Sequence, residues 1–313
     1  MTVAAESEAV MFDVAVIGAG PAGLSAALQL ARSRLRVLVV DSNRPRHAAT
    51  LLSHGFLTRD GVSPLELRQL GREELEAYET VEFVQGTVTE LTGLTHAVFG
   101  LTVERLRSRE VLKFAARRVL LTVGLREELP ELPLMRAFYG TALHSCIQCD
   151  AFEKSDQRLV LIGETSDVFE RALILRRFSD DLIVFTNDAD TVTPDEETAL
   201  TRLGVRVERR ALADLVGERG MMTGVKLADG EVIERDGGFV RPRWHAPLEF
   251  LGDLKPDQDD WGLVHVDDNW QTSTPGLYAA GDIVPPGPEQ LIIAAGHGAQ
   301  AAAKIVRDLT LSV

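Results

Sequence analysis

Short apolar runs that close on glycine or an acid alternate along this chain with stretches of helical character. Phe12–Gly18 (Phe-Asp-Val-Ala-Val-Ile-Gly) has strand length, Leu24–Arg34 reads as a helix, and Arg36–Val40 is a second buried strand ending at Asp41. Val81–Glu104 predicts short antiparallel strands, and Arg117–Val123 another apolar strand, closing on Thr122-Val123-Gly124. Pro130 and Pro133 punctuate the next stretch, as suits a crossing between domains. Leu159–Gly163 opens a second strand–turn–helix unit, with Phe169–Phe178 as its helix and Leu182–Thr186 as its next strand. Near the far end, Thr274–Asp282 closes a strand on a Gly-Asp pair, and Gln290–Leu309 is compatible with a helix.

Two such units, with the last segment returning to the first, predict an α/β chain of two Rossmann-like (ββα-type) nucleotide-binding domains. Residues 12–127 and 241–313 form the first, which is discontinuous, and residues 128–240 are inserted into it. Residues 1–11 read as a loose N-terminal extension. The first junction spells Gly18-Ala19-Gly20-Pro21-Ala22-Gly23, a GxGxxG between strand and helix, with Asp41 roughly 20 residues on. The first two glycines allow a tight turn and close approach of a pyrophosphate, the third lets helix and strand pack, and the helix start supplies free N–H groups. Asp41 is placed to bond a ribose hydroxyl.

The formal charge of −14 argues against nucleic acid or an anionic membrane as partner, since both repel an acidic surface. No apolar run reaches the ~18 residues of a spanning helix. The first residues lack the basic end and apolar stretch of a secretory signal, so the cytoplasm is the expected compartment. There a CxxC is redox-active or metal-binding more often than a permanent staple. The 313 residues hold two cysteines, Cys146 and Cys149, with Asp150 directly after them. The two-residue gap lets both sulfurs meet in a reactive disulfide. The rival reading is half a zinc site, but zinc needs four ligands, and neither a second CxxC nor an HxxxH pairing is present.

The order GxGxxG, Thr-x-Gly, CxxC-Asp, second unit and Thr-Pro-Gly-x-Tyr-Ala-Ala-Gly-Asp resembles the low-molecular-weight thioredoxin reductase family over about residues 12–310. The resemblance implies that the first domain binds FAD, with Gly124, Gly281 and Asp282 joining Gly18, Gly20, Pro21, Ala22, Gly23 and Asp41 around it. It implies a CxxC in the inserted domain, with Cys149 facing the flavin, Cys146 exchanging with substrate, and Asp150 transferring protons. It also implies a homodimer. His144, two residues before Cys146, is a further candidate base, though a surface or hydrogen-bonded core histidine is the plainer reading. His297, in Ala-Gly-His-Gly, is another candidate; His54 reads as a loop residue.

The second turn departs from the family. It runs Gly163-Glu164-Thr165-Ser166-Asp167-Val168, keeping one glycine and adding two acids where a pyrophosphate should dock. Phe185 to Thr201 carries Asp188, Asp190, Asp195, Glu196 and Glu197 but no Lys or Arg, where the family grips a 2′-phosphate with arginines. Without a nicotinamide partner the chain is similar to the dithiol oxidases of the gliotoxin and holomycin pathways, a likeness shared by Asn43–Ala48 and His54–Gly61. The expected function is therefore an FAD-dependent oxidase of a small-molecule dithiol, with O2 as electron acceptor and H2O2 as its product. The alternatives are a thioredoxin-type disulfide reductase fed by NAD(P)H or by ferredoxin, docking on Arg241, Arg243 and Arg171–Arg177, and a non-catalytic flavoprotein. The intact CxxC-Asp speaks against the last.

Overall fold

The structure, a computed structural model, describes residues 10–95, 98–288 and 290–311. The expected N-terminal extension lies outside the described residues through residue 9, whereas residues 10 and 11 already belong to the first strand. The chain divides into two compact units: Met1–Arg46, Leu65–Arg126 and Trp244–Val313 form one, His47–Pro64 and Glu127–Arg243 the other. Residues 47–64 thus group with the second unit, although their place in the sequence puts them inside the first nucleotide-binding domain.

The first unit contains β1 (Val10–Ile17), α1 (Pro21–Arg32), β2 (Val37–Asp41), α2 (Pro64–Glu76), β3 (Val81–Thr95), β4 (Val98–Arg105) and β5 (Val111–Leu121). β2 and the C-terminal half of β1 are buried on both faces, which is why they read as unbroken apolar runs. β3 does two jobs. Val81–Gln85 pairs parallel with β2, and Gly86–Thr95 pairs antiparallel with β4. β5 pairs antiparallel with β4 on one edge and parallel with β1 on the other, the two pairings overlapping at Phe114, Ala115 and Ala116. This double pairing explains why strands expected to be short are long. Strand Leu277–Ala279 adds to β5 in parallel.

Alternate residues of the parallel strands feed opposite layers. Val14, Val16, Val37 and Val39 pack with Ala26, Ala27 and Leu30 of α1 and with Ala301, Ala302 and Ile305 of the terminal helix Leu291–Leu311. Ala15, Ile17, Leu38 and Val40 face Leu101 and Val103 of β4 together with Leu251 and Ile283. The terminal helix seats on α1 through Gly298, where an added Cβ would come within 1.9 Å of the Ala22 carbonyl oxygen. Its far end is pinned by Asp308, which accepts from Arg118 Nε at 2.5 Å and from the Tyr278 hydroxyl at 2.8 Å.

The second unit repeats the architecture. Its five-stranded parallel sheet runs in the order Arg206–Glu208, Leu182–Phe185, Leu159–Gly163, Gly237–Arg241, Leu143–His144. Helices Val168–Leu175 and Pro194–Arg202 flank it, the latter opened by a capping box between Thr193 and Glu196. An antiparallel ribbon, Leu212–Glu218, Met221–Leu227 and Val232–Glu234, is an element the apolar pattern did not announce. Among the described residues no helix is long and apolar enough to cross a membrane.

Two stability outcomes follow from these contacts. Gly298→Ala forces a methyl against backbone that has no slack, and should lower the unfolding free energy by about 1–3 kcal/mol in urea. Glu208, buried between Arg206 and Arg210, is held by hydrogen bonds from Arg210 at a pKa of about 2. A carboxylate with a depressed folded pKa stabilises fully above its unfolded value, and that stability fades as pH falls toward the folded one. Denaturation of Glu208→Gln across pH should therefore show a deficit at neutral pH that shrinks below about 4.5 and vanishes near 2.

Candidate active site

The glycine turn of the first unit is shaped by contacts that only hydrogen satisfies. Gly18 has φ +102°, and an added Cβ would lie 2.4 Å from the Thr122 carbonyl oxygen. One at Gly23 would lie 1.9 Å from the Gly18 carbonyl oxygen. The Thr122 hydroxyl donates to that same Gly18 carbonyl at 2.8 Å, so the Thr-x-Gly strand end and the turn are tied together. Gly20 differs: a Cβ there meets nothing within 4 Å, so its backbone faces open space. Pro21 stands at the first position of α1, no side chain caps the helix start, and its first turn carries no acid. Gly281, at φ +82°, comes against the Ala22 methyl, bringing the Gly-Asp pair to the same helix start. Gly124 also has positive φ, +64°, with open space at its Cβ position. An open glycine-lined backbone before an uncapped, acid-free helix start fits the pyrophosphate of a dinucleotide such as FAD.

Two arginine systems missed in the sequence line this turn. The Asp41 carboxylate, read as a ribose ligand, is already engaged. Its Oδ1 accepts from the Ala19 N–H at 3.2 Å, and its Oδ2 from Arg68 at 2.9 Å and Arg72 at 2.6 Å. Arg68 also reaches Asn43 at 2.7 Å. Burial pushes the Arg68 pKa down, and Asp41 works against that. The signal in the sequence was the i, i+4 spacing of two arginines on a helix facing an acid-ended strand. Arg46 lies over the Trp244 ring and donates to Asp282 at 2.8 Å.

The second turn has closed on itself. The Gly163 Cβ position would meet Val168 Cγ2 at 2.6 Å, so the valine occupies the space a third glycine leaves open. Asp167 accepts from Arg241 Nε at 2.7 Å and from the Thr165 hydroxyl at 2.6 Å. Glu164 accepts from Asn187 at 2.7 Å, with Arg243 3.7 Å away. At the end of the next strands, Arg209 is bound to Glu197 and to the Val192 carbonyl. The cations near this turn thus serve the chain's own carboxylates and carbonyls.

Cys146 and Cys149 are joined in a disulfide, Cα to Cα 5.3 Å, on the short helix Ile147–Asp150. The residues flanking it form a polar cluster. Asp150 Oδ1 stands 2.9 Å from His144 Nδ1, and both side chains are nearly buried. His144 Nε2 is 2.7 Å from the Thr141 carbonyl, which can only accept, so Nε2 carries a proton. The Nδ1–Asp150 contact then requires one more proton, held by either partner. Lys154, also buried, donates to the same Thr141 carbonyl at 3.1 Å. Burial lowers its pKa, opposed by Asp150 and Glu153. His144 is therefore Asp150's partner, and Lys154 and Thr141 are members that the spacing did not reveal.

The remaining histidines separate. His54, on segment 47–64, lies 3.6 Å from both Asp60 and Glu153, and that segment is pressed to the same unit where Gly140 (φ +88°) abuts the Ala49 carbonyl. His297 belongs to the first unit and packs on Trp270 with ring centroids 4.7 Å apart.

Comparison with known proteins agrees with this geometry. The sequence profile of the pyridine nucleotide-disulphide oxidoreductases matches residues 12–298. The chain is similar to TrxB of Bacillus anthracis, with 36% identity, a TM-score of 0.88 and 95% and 98% of the two chains covered. It is similar to HlmI, with 34% identity, a TM-score of 0.87 and 99% and 95% covered. A thioredoxin reductase of Streptomyces clavuligerus is 30% identical over 95% of this chain and 94% of its own length. The chain belongs to the pyridine nucleotide-disulphide oxidoreductase family and is a thioredoxin reductase-like, flavin-dependent thiol/disulfide oxidoreductase.

Removing the Asp41 carboxylate leaves two arginines, one of them buried, without their anion. Asp41→Ala should therefore cost about 3–5 kcal/mol in chemical denaturation, as breaking a buried ion pair does.

Proposed function

We propose that this protein is an FAD-dependent dithiol oxidase, closing an intramolecular disulfide in a small-molecule natural-product dithiol and delivering the electrons to O2. The observation that carries the reading is the contrast between the two turns. One is open and free of acids; the other is filled by Val168, with Glu164 and Asp167 bonded to the chain's own groups. The likeness to HlmI over nearly the whole chain supports the same reading. Phe152, 79% exposed two residues beyond Asp150, suits an apolar small substrate beside the pair.

In this reading one substrate thiolate attacks Cys146, breaking the Cys146–Cys149 bond and releasing Cys149 as a thiolate. The second substrate thiol then displaces Cys146 from the mixed disulfide and closes the product ring. The Asp150–His144 pair receives a proton released by the substrate and returns it as the cysteine disulfide is restored. Gly18, Gly20, Pro21, Ala22, Gly23, Gly124, Gly281 and Asp282 would hold FAD, which when bound would supply the two-electron chemistry linking the cysteine pair to O2. The balance is dithiol plus O2 to disulfide plus H2O2. Homodimeric assembly and a cytoplasmic setting complete the proposal.

The thioredoxin reductases among its relatives favour a second reading, a disulfide reductase fed by NAD(P)H or ferredoxin. Anaerobic flavin absorbance separates the two. A model dithiol should bleach the flavin, and air should restore it with release of H2O2; rapid bleaching by NADPH would instead establish the reductase.

Asp150→Asn and His144→Gln should each slow dithiol turnover by about 100-fold. Because they share one proton, the double variant should be little worse than the poorer single one. Multiplying effects in that cycle would refute a shared role.

A further inference from the structure

The helix Val168–Leu175 starts at the closed second turn, yet it carries a half-buried cation that reaches the redox pair's own segment. Arg171 Nη2 donates at 2.6 Å to the carbonyl of Ser145, the residue directly before Cys146. Its Nε is buried without a hydrogen-bond partner, and among the described residues no carboxylate forms an ion pair with it. Burial, reinforced by nearby Arg241, lowers the Arg171 pKa to about 10, with Asp167 and Glu170 opposing. From the other side the Tyr139 hydroxyl contacts Ser145 Oγ at 2.9 Å and donates to Glu127. Ser145 is thus held by both its backbone and its side chain, one residue from the reactive sulfur.

A guanidinium that serves only packing is usually matched by a carboxylate, because an isolated buried charge is costly. Arg171 is bonded to a neutral carbonyl instead, so its charge is incompletely compensated beside a disulfide that gives rise to anions on reduction. We propose that Arg171 is the positioning residue of the redox pair: through the Ser145 carbonyl it fixes the backbone entering Cys146, and its charge favours the Cys146 thiolate. When an external dithiol reduces the pair, the Cys146–Cys149 bond breaks, two electrons enter and the external dithiol becomes a disulfide. A cation near the emerging thiolate lowers that thiol's pKa and makes the pair more oxidising. The helix that opens at the closed second turn thus braces the cysteines. Arg171 and Arg241 with Asp167 and Glu170, Tyr139 with Glu127, and Asp150 with His144, Lys154 and Glu153 are the titratable groups around this segment.

The inference rests on thiol exchange at the pair, common to the oxidase and reductase readings, so its test needs neither peroxide nor NADPH. Absence of peroxide formation would sink the oxidase while leaving this comparison standing. Full-length protein is reduced with dithiothreitol, and Cys146 alkylation by iodoacetamide is followed by mass spectrometry across pH. The disulfide fraction is measured separately in dithiothreitol redox buffers. Arg171→Met should raise the alkylation midpoint by about one pH unit, roughly a tenfold loss of rate at pH 7, and shift the redox equilibrium toward disulfide. Arg171→Gln, which keeps a donor for Ser145 without the charge, should follow the Met variant, whereas Arg171→Lys should restore wild-type behaviour to within about threefold. Wild-type midpoints and equilibria in the Met and Gln variants would overturn the proposal, as would a Lys variant as impaired as Met. Should the Met variant fail to fold, the Gln–Lys comparison decides alone.

Discussion

The first unit depends on one close approach, α1 against the backbone around it. At Gly23 the helix comes so near the Gly18 carbonyl that an added methyl would lie 1.9 Å from it, and Gly298 meets the Ala22 carbonyl at the same hypothetical distance. Because carbon cannot replace hydrogen at either point, the turn, α1 and the terminal helix behave as one packed body. The open space at Gly20 and the uncapped helix start are products of that packing. The Gly281-Asp282 strand end joins them because Gly281 too sits against Ala22.

The second unit has the same strand–turn–helix plan with the opposite electrostatic outcome. Val168 fills the turn beside Gly163, and the acids Glu164 and Asp167 draw Asn187, Arg241 and Arg243 to themselves. A backbone shape that suits an anion is thereby neutralised from within, without changing the fold. Fold and ligand preference separate here: five parallel strands persist while the charge at their ends is rewritten.

Around Asp150, directly after the cysteine pair, a single carbonyl acts as a hub. The Thr141 oxygen takes the His144 and Lys154 contacts, and His144 passes its other nitrogen to Asp150. Since the carbonyl cannot donate, the histidine tautomer is determined on that side and the mobile proton is confined to the Asp150 contact. Burial of Lys154 depresses its pKa, while the nearby carboxylates favour its charge, so the local balance is set by packing as much as by composition.

Much of this was legible in the sequence. The strands, the GxGxxG turn, the Gly-Asp end and the CxxC-Asp run all announce themselves locally, because backbone clashes and sulfur reach operate over a few residues. The charge reversal of the second turn was equally visible, since no Lys or Arg occurs between Phe185 and Thr201. The ribbon Leu212–Glu234 was not, as its half-buried strands carry no apolar run. Nor were the pairings Arg46–Asp282, Arg68–Asp41 and Arg171–Ser145, whose partners are 236, 27 and 26 residues apart. Sequence alone determined which chemical groups this protein brings to its turns and its cysteines. Tertiary structure decided which of those groups neutralise one another, because ion pairing and desolvation depend on distance and burial in space rather than on spacing along the chain.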